Sequence, residues 1–234
     1  MNTEKLTSLL APFKGSVGYD DQKVSIQDQD LVREKVESLV RAAVLDEDQE
    51  TRFLARYLIR KIAQAMDIYP SSIHDLYLAR GRGDVPNNFT TPAINLRSLS
   101  FYAAREVFKI AHHIEAGAFI FELARSETGY TDQRPSEYAA NILGAAIAEG
   151  HSGPVFIQGD HYQVSASRYQ DNPEAEMQAV KDLTKEALGA GFFNIDVDTS
   201  TLVDLSKDSV AEQQALNYEL SCVLSQFIRN LEPE

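Results

Sequence analysis

Residues 153–163 read GPVFIQGDHYQ. A turn-forming Gly-Pro is followed by Val155, Phe156 and Ile157, and then by Gln158, Asp160 and His161. That is a short buried strand running out into polar side chains. The same shape recurs as AINLR at 93–97, AFIFELA at 118–124 and FFNIDVD at 192–198. Between these runs, apolar residues recur with a helical period over 100–115, 136–149, 173–188 and 210–230. Asn172-Pro173 reads as an N-cap followed by proline at the first helical position. Ser209 and Glu212 have capping-box spacing. Gly117, Gly150, Gly189 and Gly191 stand where left-handed residues would end helices before the next strand. Such alternation implies parallel strands joined by right-handed crossovers, which suits a doubly wound sheet or a β/α barrel.

Strand faces separate the two. With period two, Phe119, Phe121 and Leu123 oppose Ile120 and Glu122, while Val155 and Ile157 oppose Gln158 and Asp160. Phe193, Ile195 and Val197 oppose Asn194, Asp196 and Asp198, and Asn95 shares a face with Ala93 and Arg97. Each strand therefore has one apolar face and one that turns polar toward its C-terminal end. A doubly wound sheet covers both faces with helices, which favours apolar residues on both. Polar strand ends pointing inward suit a barrel mouth. The expected fold is α/β: a partial (β/α)8 TIM-type barrel of about four βα units, at roughly thirty residues per unit. The last residues, LEPE, read as a helix-to-strand turn with no strand after it. The sequence thus predicts a truncated chain, or a half completed by a homo-oligomer or a complementing C-terminal half-barrel.

Residues 1–88 read as a helical extension, and 89–234 as the half-barrel. Apolar stripes predict helices over 28–45 and 50–67, with a shorter one at 71–80 and no strand before residue 90. GRGDVPNNFTTP, at 81–92, reads as a linker. Thirty-five Asp plus Glu against twenty-two Lys plus Arg give a net charge of -13 across 234 residues. That balance argues against nucleic-acid backbones and anionic membranes. The N-terminus lacks the pattern of a secretion signal, and one cysteine, Cys222, allows no internal disulfide framework, so the expected compartment is the reducing cytoplasm.

The chemistry concentrates at the strand ends. A bend beginning at Gly159 would turn both Asp160 and His161 toward the mouth. Glu122, Asp196 and Asp198 converge there from neighbouring strands. Carboxylates that close cannot all ionise without raised pKa values or a cation, and a divalent metal on His161 is the economical resolution. Asp198-Thr199-Ser200-Thr201 offers hydroxyls and backbone N–H groups to a phosphate or sugar oxygen, or Ser200 simply caps a turn. Arg125 and Arg134 could clamp an anion or pair with surface acids. His74, His112, His113 and His151 carry no evident chemistry.

TPAINLR, AGAFIFELARSE, GPVFIQGDHYQ and AGFFNIDVDTSTLVDLS, in that order, resemble the first four strands of class II, metal-dependent fructose/tagatose-bisphosphate aldolases. The resemblance covers about residues 90–232, and the Asp-His strand end is its most specific element. It implies a zinc-dependent lyase of carbohydrate metabolism, cleaving a ketose bisphosphate into dihydroxyacetone phosphate and an aldose phosphate. On these positions it makes His161 a zinc ligand and Asp160 the acid/base. Asn95 and Asp198 become substrate-contacting or site-ordering residues at the mouth. Two positions depart from the family pattern. Ala124-Arg125-Ser126-Glu127 replaces a Ser-x-Gly element, and Gln158-Gly159 stands where a histidine often precedes the Asp-His. The family's other zinc ligands and phosphate loops would lie beyond residue 234, so the resemblance implies little activity for this chain alone. A non-catalytic accessory subunit of the tagatose-bisphosphate aldolase type, or a barrel isomerase, would share the same mouth.

Overall fold

The structure is a computed structural model, and it describes residues 2–231. The second and third helices form where the stripes place them, whereas the first was not expected. Helix α1 spans Thr3–Leu10, α2 Gln29–Leu45 and α3 Gln49–Ala65. Asp28 accepts from the Leu31 N–H at 3.0 Å to start α2, and Asp48 accepts from the Thr51 N–H at 2.8 Å to start α3. Val32, Val36, Leu39 and Val40 on α2 and Leu58, Ile59 and Ile62 on α3 are buried.

Three strands precede residue 90, where the sequence predicted none. Strands β1 (Val17–Asp20) and β2 (Lys23–Ile26) form an antiparallel hairpin. Its two turn residues, Asp21 and Gln22, both have positive φ, a conformation usually advertised by Asn-Gly. Strand β3 (Ile68–Ser71) joins the main sheet, followed by α4 (His74–Arg82). Its four residues include Pro70, which is tolerated because β3 pairs on one side only.

The predicted βα units appear with shifted ends. They are β4 (Ala93–Asn95), α5 (Ser100–His113), β5 (Ile120–Ala124), α7 (Pro135–Ala148), β6 (Gly153–Gln163), α9 (Pro173–Ala190), β7 (Asn194–Asp198) and α10 (Val210–Arg229). Short helices α6 (Arg125–Tyr130) and α8 (Ala166–Asp171) occupy the loops after β5 and β6. Asn172 and Ser209 cap α9 and α10 as expected. Gly191 (φ 99°) closes α9, whereas Glu115 (φ 53°), not Gly117, takes the left-handed position after α5, and Gly189 lies inside α9.

Strands β4, β5 and β6 lie side by side in chain order, all parallel. The other edge of β6 is shared. Its first half pairs with β3, from Ile68↔Gly153 to Ser71↔Phe156, and its second half with β7, from Gln158↔Asn194 to Gln163↔Asp198. Asn194 ties the two short strands together, its Nδ2 donating to the Ser71 carbonyl and its Oδ1 accepting from the Ile73 N–H. One hydrophobic cluster spans residue 88, joining Val36, Leu58 and Ile62 to Leu143, Ile157 and Phe192.

Phe121, Leu123, Val155 and Ile157 are buried on one face of the sheet. Glu122, Phe156, Gln158 and Asp160 alternate with them and remain partly exposed. The total accessible surface is 12925 Å², against the roughly 10,600 Å² that size scaling gives for a compact 26.1 kDa chain. No helix among the described residues is long and apolar enough to cross a membrane.

Candidate active site

The site is built on a break in strand β6. Between Gly159 and Tyr162 its register with β7 slips, so Asp160 and His161 together oppose Asp196. His161 takes the left-handed conformation (φ 43°), and the extra residue re-aims the strand as bulges do. The expected bend is therefore a β-bulge. Gly159 allows it, because a Cβ there would lie 2.5 Å from the ring of Tyr162, which is buried.

The bulge gathers three acids around one imidazole. His161 Nδ1 lies 3.3 Å from Asp198 Oδ2 and Nε2 lies 3.8 Å from Asp160 Oδ2, while its backbone N–H donates to Asp196 Oδ2 at 3.2 Å. The contact with Asp198, reinforced by Asp160, raises the His161 pKa. Burial, together with the nearby Asp196 and Glu127, raises that of Asp160 despite the opposing pull of His161. Burial first, then the Asp160 charge, raises Glu122, whose carboxylate accepts from Gln158 Nε2 at 3.2 Å. Burial acts the same way on Asp198 but is outweighed. Hydrogen bonds from the Ser200 hydroxyl (2.6 Å), Gln163 Nε2 (2.6 Å) and the Ser200 N–H (3.0 Å) hold its pKa below the usual carboxylate value. Environments thus push neighbouring carboxyls in opposite directions, the pattern that separates a group able to take up or release a proton from a standing charge.

The other rim residues take less expected places. Asn95 donates from Nδ2 to Glu127 Oε2 at 2.7 Å. The nearly buried Glu127 also accepts the Ala124 N–H (2.8 Å) and pairs with Arg97 (2.6 Å). Ser200 is committed to Asp198. Arg125 and Arg134 line one cavity of about 240 Å³, each engaged by an acid: Arg125 is held by Glu176 at 2.5 Å and by the Gln163 carbonyl, and Arg134 pairs with Glu186. Glu127, Gln163 and Arg168 line the site without having been singled out in the sequence. For Gln163 a signal existed: once the bulge is counted, the alternation of Gln158 and Asp160 resumes at Gln163. Asn95, Arg97, Glu122, Glu127, Asp160, His161 and Arg168 share one open cavity of about 810 Å³.

No group of three or more His, Cys, Asp or Glu side chains among the described residues is placed to hold one metal ion. The rim supplies a single imidazole, whereas a catalytic zinc generally takes three protein ligands.

The raised Asp160 pKa fixes a sign. On raising the pH from below the ordinary carboxyl value, the unfolded chain loses this proton first. Stability drawn from the neutral form then fades through the interval up to the folded pKa. Asp160→Asn stays neutral throughout. The variant is expected to have the higher urea midpoint at about pH 7, with the gap closing toward about pH 3.5, below the ordinary value. A variant less stable than wild type at neutral pH would contradict this environment for Asp160. Compared with family models, with curated proteins and with solved structures, the chain matches none.

Proposed function

We propose that the chain is one half of a (β/α)8-type barrel. In this reading its rim is the proton-handling part of a lyase site that cleaves a ketose bisphosphate to dihydroxyacetone phosphate and an aldose phosphate. The reading rests on one observation above all. Parallel strands in chain order deliver Asn95, Glu122, Asp160, His161 and Asp198 from their C-terminal ends to one place. In a retro-aldol step a base takes the proton of the hydroxyl on one carbon of the scissile bond. That carbon becomes a carbonyl, and the bonding electron pair stays with its neighbour as an enediolate, which is then protonated. Ionised Asp160 is the base of the first transfer, and His161 beside it offsets its charge. Arg168, with Arg97 beside Glu127, supplies positive charge to a phosphate.

Titration with dihydroxyacetone phosphate, followed by amide resonances, tests the site. Shifts are expected at Asp160, His161 and Ser200, with affinity weakened about tenfold or more in Arg168→Ala, the loss of one charge-assisted contact. No shift at these positions would remove the sugar-phosphate assignment. In a zinc-supplemented assay with fructose bisphosphate the chain alone is expected to show only trace cleavage. Turnover in the ordinary enzyme range, about 1–10³ s⁻¹, would overturn the half-site reading.

A further inference from the structure

The end of the sheet opposite the candidate active site holds a pair of histidines. His112 lies in the last turn of α5, and His151 follows the end of α7. Both helices finish alike. The Ala116 N–H donates back to the Ala111 carbonyl at 2.8 Å, and the His151 N–H to the Ala146 carbonyl at 3.0 Å, around the left-handed residues Glu115 and Gly150. Two helix C-termini, each carrying partial negative charge, thus come together, and a cation beside them is favoured. A cavity of about 130 Å³ opens there. Phe108, Phe119, Phe121 and Phe156 give it an apolar wall, and the two histidines are its only ionisable lining side chains among the described residues.

The two rings are set to share a ligand. His151 Nε2 lies 3.1 Å from the Pro154 carbonyl, which only accepts, so Nε2 carries the proton and the Nδ1 lone pair is left available. Phe108 packs on this ring, centroids 5.0 Å apart. Nδ1 faces His112 Nε2 at 3.4 Å, with the ring planes within 5° of each other. That separation is long for a hydrogen bond, whose heavy atoms usually stand about 2.7–3.2 Å apart. It matches two nitrogens on one tetrahedral ion, which at bonds of about 2.0–2.1 Å lie about 3.3–3.4 Å from each other. A backbone carbonyl on the other ring nitrogen is the usual support of a metal-ligating histidine. Burial lowers the His151 pKa, which favours the neutral ring that a metal needs.

We propose that His112 Nε2 and His151 Nδ1 bind one divalent transition-metal ion of the kind that imidazole suits, Zn2+, Cu2+ or Ni2+, with water completing its coordination. The ion replaces the proton between the rings. His112 stays neutral by carrying its own proton on Nδ1, and its ring, on an exposed residue, turns to meet an ion lying beside the line of the two nitrogens. The site lies at the other end of the strands from Asp160 and His161, and it stands if the sugar-phosphate reading falls.

Cu2+ and Zn2+ are the probes. Cu2+ binds such ligands most tightly in the divalent series, and its unpaired electron broadens the resonances of nearby nuclei. Added below one equivalent at neutral pH, Cu2+ is expected to broaden the amide resonances of residues 111–113 and 150–153. Zn2+ is expected to shift the ring resonances of both His112 and His151. His112→Ala, a change at an exposed position, should weaken both metals by about tenfold or more, at least the cost of losing an outer hydrogen-bond partner of a ligand. His113→Ala, at the exposed neighbour, should leave both affinities as they are. Lowering the pH to about 5, where imidazoles hold protons, should release the ion. Broadening confined to the surroundings of His161, a Zn2+ shift at only one of the two rings, or unchanged affinity in His112→Ala would overturn the proposal. So would His113→Ala costing as much as His112→Ala.

Discussion

Glu176→Ala is expected to lower the stability of the chain by about 3–5 kcal/mol, the range for breaking a buried ion pair from one side. The Glu176 carboxylate, on the first turn of α9, is almost fully buried. It accepts from both terminal nitrogens of Arg125, at 2.5 and 3.2 Å, and from the Ser165 N–H at 2.7 Å. Removing it strands the Arg125 guanidinium, itself largely buried, and frees the loop between β6 and α8 that borders the cavity. For a chain of this size that loss corresponds to a melting temperature lower by about 6–20 °C. The double variant Arg125→Met/Glu176→Leu should recover most of it, because an apolar pair of similar volume has no stranded charge. A single-variant loss below about 1 kcal/mol, the upper end for exposed pairs, would mean that the pair is solvated after all.

Phe121→Ala should cost a similar amount for a different reason. The Phe121 ring is fully buried on the helix-facing side of β5, with the rings of Phe108 and Phe119 at centroid distances of 5.2 and 5.6 Å. Truncation removes its transfer free energy and leaves a cavity that fixed backbones on both sides cannot close, about 3–5 kcal/mol. Phe193→Ala, at a position 45% exposed, is the contrasting case and should stay within about 0.5 kcal/mol of wild type. Urea denaturation of the three chains measures both. Equal effects at 121 and 193 would contradict the burial of Phe121 and the exposure of Phe193. A loss of this size is a large fraction of the about 5–15 kcal/mol that separates native from unfolded chains.

The parts of the fold legible in the sequence are those set by local pattern. Helices α2, α3, α5, α7, α9 and α10 follow from repeated apolar stripes and side-chain caps, and β4 to β7 from short apolar runs. Strand β3 is different. Ile68-Tyr69-Pro70-Ser71 has neither length nor alternation, and it is a strand because the lower half of β6 offers it an edge. The β1–β2 hairpin hid behind a turn whose residues do not favour positive φ. At the rim, Asp160, His161, Asp196 and Asp198 could be placed because period-two alternation and a suspected bend bring them together. Glu127 could not, since its importance lies in Asn95 and Arg97 reaching it from another strand end. Nor could the fate of Arg125, whose partner is Glu176, far along the chain and not the neighbouring acids.

The two-part edge of β6 also bears on how the chain is made. Ile68–Ser71 leaves the ribosome long before residues 153–156 exist to receive it. At synthesis rates of about 5–20 residues per second the wait is on the order of ten seconds, far longer than helices need to form. Through that interval α2 and α3 can close on each other as a nascent hairpin, while the backbone beyond them stays without a ladder. This is the stretch of biosynthesis in which a chaperone has most to shield.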